Sequence, residues 1–220
     1  MKKIIGSFAI SCFLFVSLFL FFEADLVGAV DQTASTTPTS TLSFDVQVSV
    51  GAELSLTCPL GTKNMGSISG LSGGTANITA DCGVRTNAEG YDLYIKASTT
   101  PAMIHTTNPS YVFSDYRSST PEYIWGNNTA SSSFGYAVSS TDVKSAFLNN
   151  SSACGLGSNI SYEKCFVALS TTNRQIASRE VSTGVTTITT TINFKAEVAV
   201  GNGQSFGTYS AGIVVTAVTR

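Results

Sequence analysis

The stretch ITTTINFKAEVAV, residues 188–200, alternates with period two from end to end. Ile188, Ile192, Phe194, Ala196, Val198 and Val200 fall on one side, and Thr189, Thr191, Asn193, Lys195 and Glu197 on the other. Successive side chains of a strand point to opposite faces, so the pattern demands a long strand with one buried and one wet face. Such a strand must find partners for its backbone and an apolar layer for its inner face. Gly201-Asn202-Gly203 follows as a turn, and FGTYSAGIVVTAVT supplies a final strand expected to pair with the long one.

Shorter stretches repeat the pattern. FDVQVSV sets Phe44, Val46, Val48 and Val50 on one face, and ELSLTC continues with Leu54, Leu56 and Cys58 after a Gly-Ala break. TANITADC reads as the next strand, and the turn at Glu89-Gly90 opens another, with Tyr91, Leu93 and Ile95 opposite Asp92, Tyr94 and Lys96. From Ser98 to Asn150 the chain is irregular. Short strands are expected at Tyr111 to Phe113 and Phe134 to Val138, and a helical turn where Thr141-Asp142 would cap Val143 to Leu148. Charged residues make up only 12% of the chain, too few to coat surface helices. Several strands without strand–helix alternation predict an all-β fold, an antiparallel immunoglobulin-like (pilin-like) β-sandwich with an irregular middle insertion, as a single domain over 44–220.

The N-terminus has a different character. Lys2 and Lys3 precede an apolar run from Ile4 to Phe22, and Val27-Gly28-Ala29 offers small residues for cleavage, so 1–29 reads as a secretory signal peptide. The length of the run leaves an uncleaved membrane anchor as the alternative. Residues 30–43 are Ser/Thr-rich with little to bury and read as a flexible segment. The protein is accordingly expected to be secreted or at the cell surface, meeting a membrane only through an uncleaved N-terminal segment. In that oxidising setting Cys58, Cys82, Cys154 and Cys165 read as two disulfides, with sequence locality favouring Cys58–Cys82 and Cys154–Cys165 among three connectivities. A zinc site would need close ligand spacing, and no CxxC occurs here.

Net charge of −2 without a basic cluster argues against nucleic acid as a partner. The single histidine, His105, lies in a turn-like stretch with no GxSxG nearby and reads as a surface loop residue. Asp81, Asp92, Asp115, Glu122 and Asp142 are carboxylates with no pattern to single out a glycosidase pair. No cofactor, metal site or catalytic residue is expected. The only tryptophan lies in YIWGNNTASSSFGYAV, 123–138. Trp125 precedes a turn signal and reads as a core plug at a strand end, its indole N–H reaching a loop carbonyl. Tyr123 and Trp125 would form one arm of a hairpin, with Phe134 and Tyr136 on the other. Alternatively Tyr123, Trp125, Asn127 and Asn128 form an aromatic platform with a polar rim for a glycan.

Together LSLTC, a second cysteine in ITADC, GYDLYIKA, PAMI, IWGN and the terminal GTYSAGIVVTAV resemble bacterial fimbrial and spore-coat-U-like subunits over Phe44 to Val218. The resemblance implies a disulfide between the first two strands, at Cys58 and Cys82, and a turn into the last strand at Gly207-Thr208-Tyr209. It further implies that FDVQVSV or the segment before it could complete a neighbour's sheet, although its run into LSLTC favours the domain's own first strand. The chain departs from the family in ending at Thr219-Arg220 rather than on a penultimate tyrosine. Cys154, Cys165 and the insertion over 141–180 have no family counterpart. The expected function is that of a structural or interaction protein, a pilin- or coat-like subunit without catalytic activity that self-associates or joins other surface subunits. A surface adhesin or carbohydrate-binding module built on the patch around Trp125 is the alternative.

Overall fold

The computed structural model describes residues 43–126 and 132–220. The signal and Ser/Thr-rich expectations fall on residues outside this set, apart from residue 43. The chain divides into two units, Met1–Val48 and Ser49–Arg220. The expected strand FDVQVSV is not formed: residues 43–50 carry no strand, and Phe44, Val46, Val48 and Val50 are 82–89% exposed.

The second unit is all-β, as the alternation predicts. Its described strands are β1 (Leu54–Thr57), β2 (Gly74–Thr86), β3 (Tyr91–Ala97), β4 (Met103–His105), β5 (Val112–Asp115), β6 (Ser133–Ser139), β7 (Arg174–Arg179), β8 (Ile188–Val198), β9 (Tyr209–Ala211) and β10 (Ile213–Thr219). One sheet runs β1-β2-β8-β6-β5-β4-β9 and the other β10-β3-β7. The expected helical turn shrinks to a 3-10 turn at Ser145–Phe147 that buries Phe147.

The period-two stretch becomes β8, which pairs antiparallel with β2 from Gly74↔Val198 to Val84↔Ile188. Its inward residues Ile192, Phe194, Ala196 and Val198 join Cys82 and Val84 of β2 and Phe134, Tyr136 and Val138 of β6. From the second sheet, Tyr91, Leu93 and Ile95 of β3 and Ile176 and Ala177 of β7 enter the same core. Each fully buried aliphatic side chain contributes about 1.5–3 kcal/mol relative to exposure, so this shared core dominates the stability of the unit. Gly90 immediately precedes β3 at φ 149°, and a Cβ there would collide with the Arg179 carbonyl oxygen. Only glycine brings β3 this close to the end of β7.

Two expected pairings and one expected strand direction differ. The final strand does not pair with β8, because both edges of β8 are taken by β2 and β6. Instead β9 pairs with β4, and β10 crosses to the other sheet to pair with β3. The hairpin between 123–125 and 134–136 is also absent. β6 has β8 on one side and β5 with Val167 on the other, while Glu122 bridges to Phe166. Lastly, β5 and β6 run parallel, an exception in an otherwise antiparallel arrangement. Strands β4 and β7 are the elements the sequence pattern missed, being short or lacking alternation.

The favoured disulfides are both formed. Cys58–Cys82 extends the β1–β2 register beyond Thr57↔Gly83, and Cys154–Cys165 closes a short loop in the insertion. Closing the 24-residue span of the first bridge restricts the unfolded chain by about 3 kcal/mol. Replacing Cys58 and Cys82 together by alanine should lower the unfolding free energy by about that amount. Urea denaturation would register it as a lower midpoint with a slope that steepens as the released unfolded chain expands, and an unchanged midpoint would contradict the assignment.

Candidate functional site

On β6 the outward row is Ser133, Gly135 and Ala137, all small and all buried. Their size lets a second layer lie against the outer face of the large sheet. A Cβ on Gly135 would meet Tyr116 Cβ at 2.7 Å and the Val167 carbonyl at 2.8 Å. Tyr116 and Phe166 pack on Ala137 there, with Trp125 and Ala168 at the margin. Residues 116–126 and 162–168 therefore roof the face that alternation marks as wet.

Trp125 is half-buried at the margin of this roof. Tyr116 stacks on it at 4.4 Å between centroids, and Phe166 meets it edge-on at 5.0 Å. Its indole N–H donates to Glu197 Oε2 on β8 rather than to a loop carbonyl. The Lys195 ammonium stands 4.9 Å from the Trp125 ring centre and 5.7 Å from that of Phe166. Beside them the Lys164 ammonium lies 4.8 Å from the Tyr123 ring centre. Of the expected platform, Tyr123 and Trp125 each lie under a lysine, Lys164 and Lys195 respectively, and Asn127 and Asn128 lie outside the described residues.

Between the roof and the outer face of β2 and β8 lies an open cleft of about 600 Å³, lined among others by Asn77, Trp125, Glu163, Lys164, Asn193 and Lys195. Asn77 and Lys195 are direct cross-strand partners, as are Thr79 and Asn193. Asn193 is only 5% exposed, its Nδ2 donating to the Tyr162 carbonyl at 2.9 Å and its buried Oδ1 meeting no donor among the described residues. Burial pulls the Lys195 ammonium below the usual lysine value; Glu197 opposes that pull and Lys164 reinforces it. The sequence marked Asn193, Lys195 and Glu197 as one wet row. It did not show that Phe166 and Tyr162, brought in by the disulfide-closed insertion, would roof that row.

The roof is pinned from behind. The Tyr116 hydroxyl donates to Glu122 Oε2 at 2.7 Å and accepts the Gly126 N–H at 3.0 Å, while Arg117 Nε reaches the same carboxylate at 2.9 Å. Burial opposes ionisation of Glu122, but the bonds from Tyr116 and Arg117 outweigh it and hold the carboxyl below its usual value. The remaining carboxylates sit in separate settings: Asp81 with Thr191, Asp92 with Ser178 and Arg220, Asp115 with the Ala102 N–H, and Asp142 with Tyr91 and Arg179. A second cleft, of about 510 Å³, adjoins His105 and Phe206. His105 ends β4, where its Nδ1 accepts the Thr107 and Asn108 N–H groups and its Nε2 faces the Phe206 carbonyl. The ring pins that turn, with Tyr111 and Tyr209 packed edge-on against it.

Compared with known proteins, the chain matches no family model and no curated sequence.

Because the folded-state Glu122 value is lowered, its stabilisation is intact above the unfolded value and is lost as pH falls through the folded one. Glu122→Gln should therefore lower the melting temperature at neutral pH, with the gap to the parent chain closing as the buffer is acidified below the ordinary glutamate range. A gap that stays constant on acidification would show that the carboxylate charge is not what holds the roof.

Proposed function

We propose that the protein is a secreted or cell-surface structural subunit, pilin- or coat-like, that assembles by lending residues 44–50 of one copy to an open sheet edge of the next. The observation that carries this reading is an unfinished edge and, in the same chain, an unpaired segment of matching pattern and length. Among the described residues β10 pairs only with β3, so its other side presents free backbone donors and acceptors. Its inward residues Ile213, Val215 and Ala217 pack against the core yet stay half-buried. So do Leu54 and Leu56 on β1, the edge strand of the larger sheet. The opposite edge of the smaller sheet is finished by contrast, with Ile176 and Ala177 of β7 fully buried.

Residues 44–50 match β10 in length at seven residues and set Phe44, Val46, Val48 and Val50 on one face. Added beside β10, such a segment gains a main-chain ladder while its alternate side chains cover the half-buried row. In this reading the two sheets form an immunoglobulin-like sandwich that lacks one strand until a neighbour supplies it. The disulfides suit the oxidising surroundings such a subunit would meet. Head-to-tail lending is a heterologous contact, which extends into a filament or coat unless its rotation closes a ring.

The test mixes two variants. A donor-defective chain carrying Val46→Asp and Val48→Asp, and an acceptor-defective chain carrying Val215→Asp, should each remain monomeric. Mixed, they should form heterodimers and stop there, as read by sedimentation velocity, while the parent chain extends further. A parent chain that stays monomeric at high concentration, or a mixture with no dimer, would defeat the proposal.

A further inference from the structure

We infer that Asn87 is the positioning residue that commits the 44–50 arm to a neighbouring copy: it holds the root of the arm in line with β1 and so keeps the arm off the β10 edge of its own chain. The role rests on strand lending as the mode of assembly.

β2 ends at Thr86, and its partner strand β1 begins opposite, at Leu54. One residue further, backbone pairing gives way to a side chain. Asn87 Oδ1 accepts the Glu53 N–H at 2.6 Å, and Asn87 Nδ2 donates to the Gly51 carbonyl at 2.9 Å. The Glu53 carbonyl in turn accepts the Asn87 N–H at 3.4 Å and the Thr86 hydroxyl at 2.6 Å. The two amide bonds need opposite ends of the carboxamide, which fixes its orientation. Alternate residues of an extended chain turn their backbone groups to one side, so Gly51 and Glu53 both facing Asn87 carries the line of β1 on to Gly51. Thr86 is an anchored base for this splice, being buried and bonded to Thr183.

The arm has a competing edge on its own chain. Asn87 stands three residues before Gly90, whose carbonyl accepts the Arg220 N–H at 3.1 Å, and Thr219 pairs with Tyr91. The root of the arm and the C-terminal end of β10 therefore share one end of the unit, and β1 lies against β10. An arm folded back would run parallel to β10, with Phe44 toward Ile213 and Val50 toward Thr219. That path needs a reversal and a crossing between sheets about 10 Å apart. Residues 51–53 are long enough to make it, at about 3.3 Å per residue. Held by Asn87, they are not available, and the crossing would have to consume residues of the arm itself. A tether that cannot span two sites confers no effective concentration, so the clamp removes the advantage that an arm on the same chain would otherwise have. Closing on the same chain and lending to the next make the same ladder over the same apolar row. A difference at the root is then enough to decide between them, and two hydrogen bonds of ordinary strength shift such a balance by about tenfold.

The full chain carrying Cys12→Ser, Val46→Cys and Val215→Cys has only the two introduced thiols free, because the other four cysteines are bonded. A short bismaleimide, added at one fixed protein concentration, records where the arm sits. Lending links chains into dimers and ladders; folding back gives an internally linked monomer, identified by mass. With Asn87 in place ladders should dominate. Asn87→Ala should raise the ratio of internally linked monomer to ladder by about tenfold, with melting curves confirming that it folds. Asn87→Asp keeps an acceptor for the Glu53 N–H but turns a second acceptor toward the Gly51 carbonyl, so it should match Asn87→Ala. An unchanged ratio in either variant, or internally linked monomer as the main product with Asn87 in place, would overturn the inference while leaving the arm's affinity for the β10 edge standing. Absence of any linkage, within or between chains, would defeat strand lending itself and this role with it.

Discussion

The antiparallel ladder between β2 and β8 is the constraint on which the rest of the second unit depends. It pairs the two longest strands along nearly their whole length, and it fixes which side of each faces inward. A slip of one residue would carry Ile192, Phe194 and Ala196 to the outside and bury Thr191, Asn193 and Lys195, exchanging apolar burial for unpaired polar groups. With that register set, the inward rows of β6 and β3 have a surface to pack on. The Cys58–Cys82 bridge then ties β1 to the far end of the same ladder.

The outer face of the ladder is handled differently along its width. Over β6, glycine and alanine let an aromatic layer settle directly on the sheet, and Tyr116, Phe166 and Trp125 form a small second core. Over β2 and β8 the outward side chains are longer and polar, and the layer cannot close. What remains is a cleft whose walls are aromatic and whose floor carries Lys195 and Asn193. The step from small to long side chains between neighbouring strands is therefore what turns a roof into a pocket. The roof also explains how a lysine is kept half-buried with no ion pair among the described residues, since the ring faces beside it supply attraction without a counter-charge.

Edges impose the other limit. β8 has neighbours on both sides, so the final strand joins the smaller sheet, where it leaves one side open above a half-covered core. An edge of this kind is a hazard unless something is meant to cover it. The apolar alternation of residues 44–50, exposed and outside any strand, is the complementary hazard in the same chain. The two needs are complementary in pattern and length, which is the physical ground for proposing the pair as an assembly device.

The sequence by itself determined the all-β class and the inward faces of β3 and β8, and locality favoured the pairing that the four cysteines adopt. These are local matters, settled by period-two alternation and short loops. It located Trp125 beside a turn and marked Asn193, Lys195 and Glu197 as one row. Tertiary structure decided everything that depends on which edges are free. The last strand went to β3 because β8 was full, the aromatic hairpin failed because β6 was full, and FDVQVSV is left outside any strand although its pattern is that of one. It also decided that the wet row would be half covered, by a segment distant in sequence and closed by Cys154–Cys165. Alternation specifies which face of a strand is buried; it carries no information about which neighbour occupies each edge, because backbone hydrogen bonds are the same for every sequence.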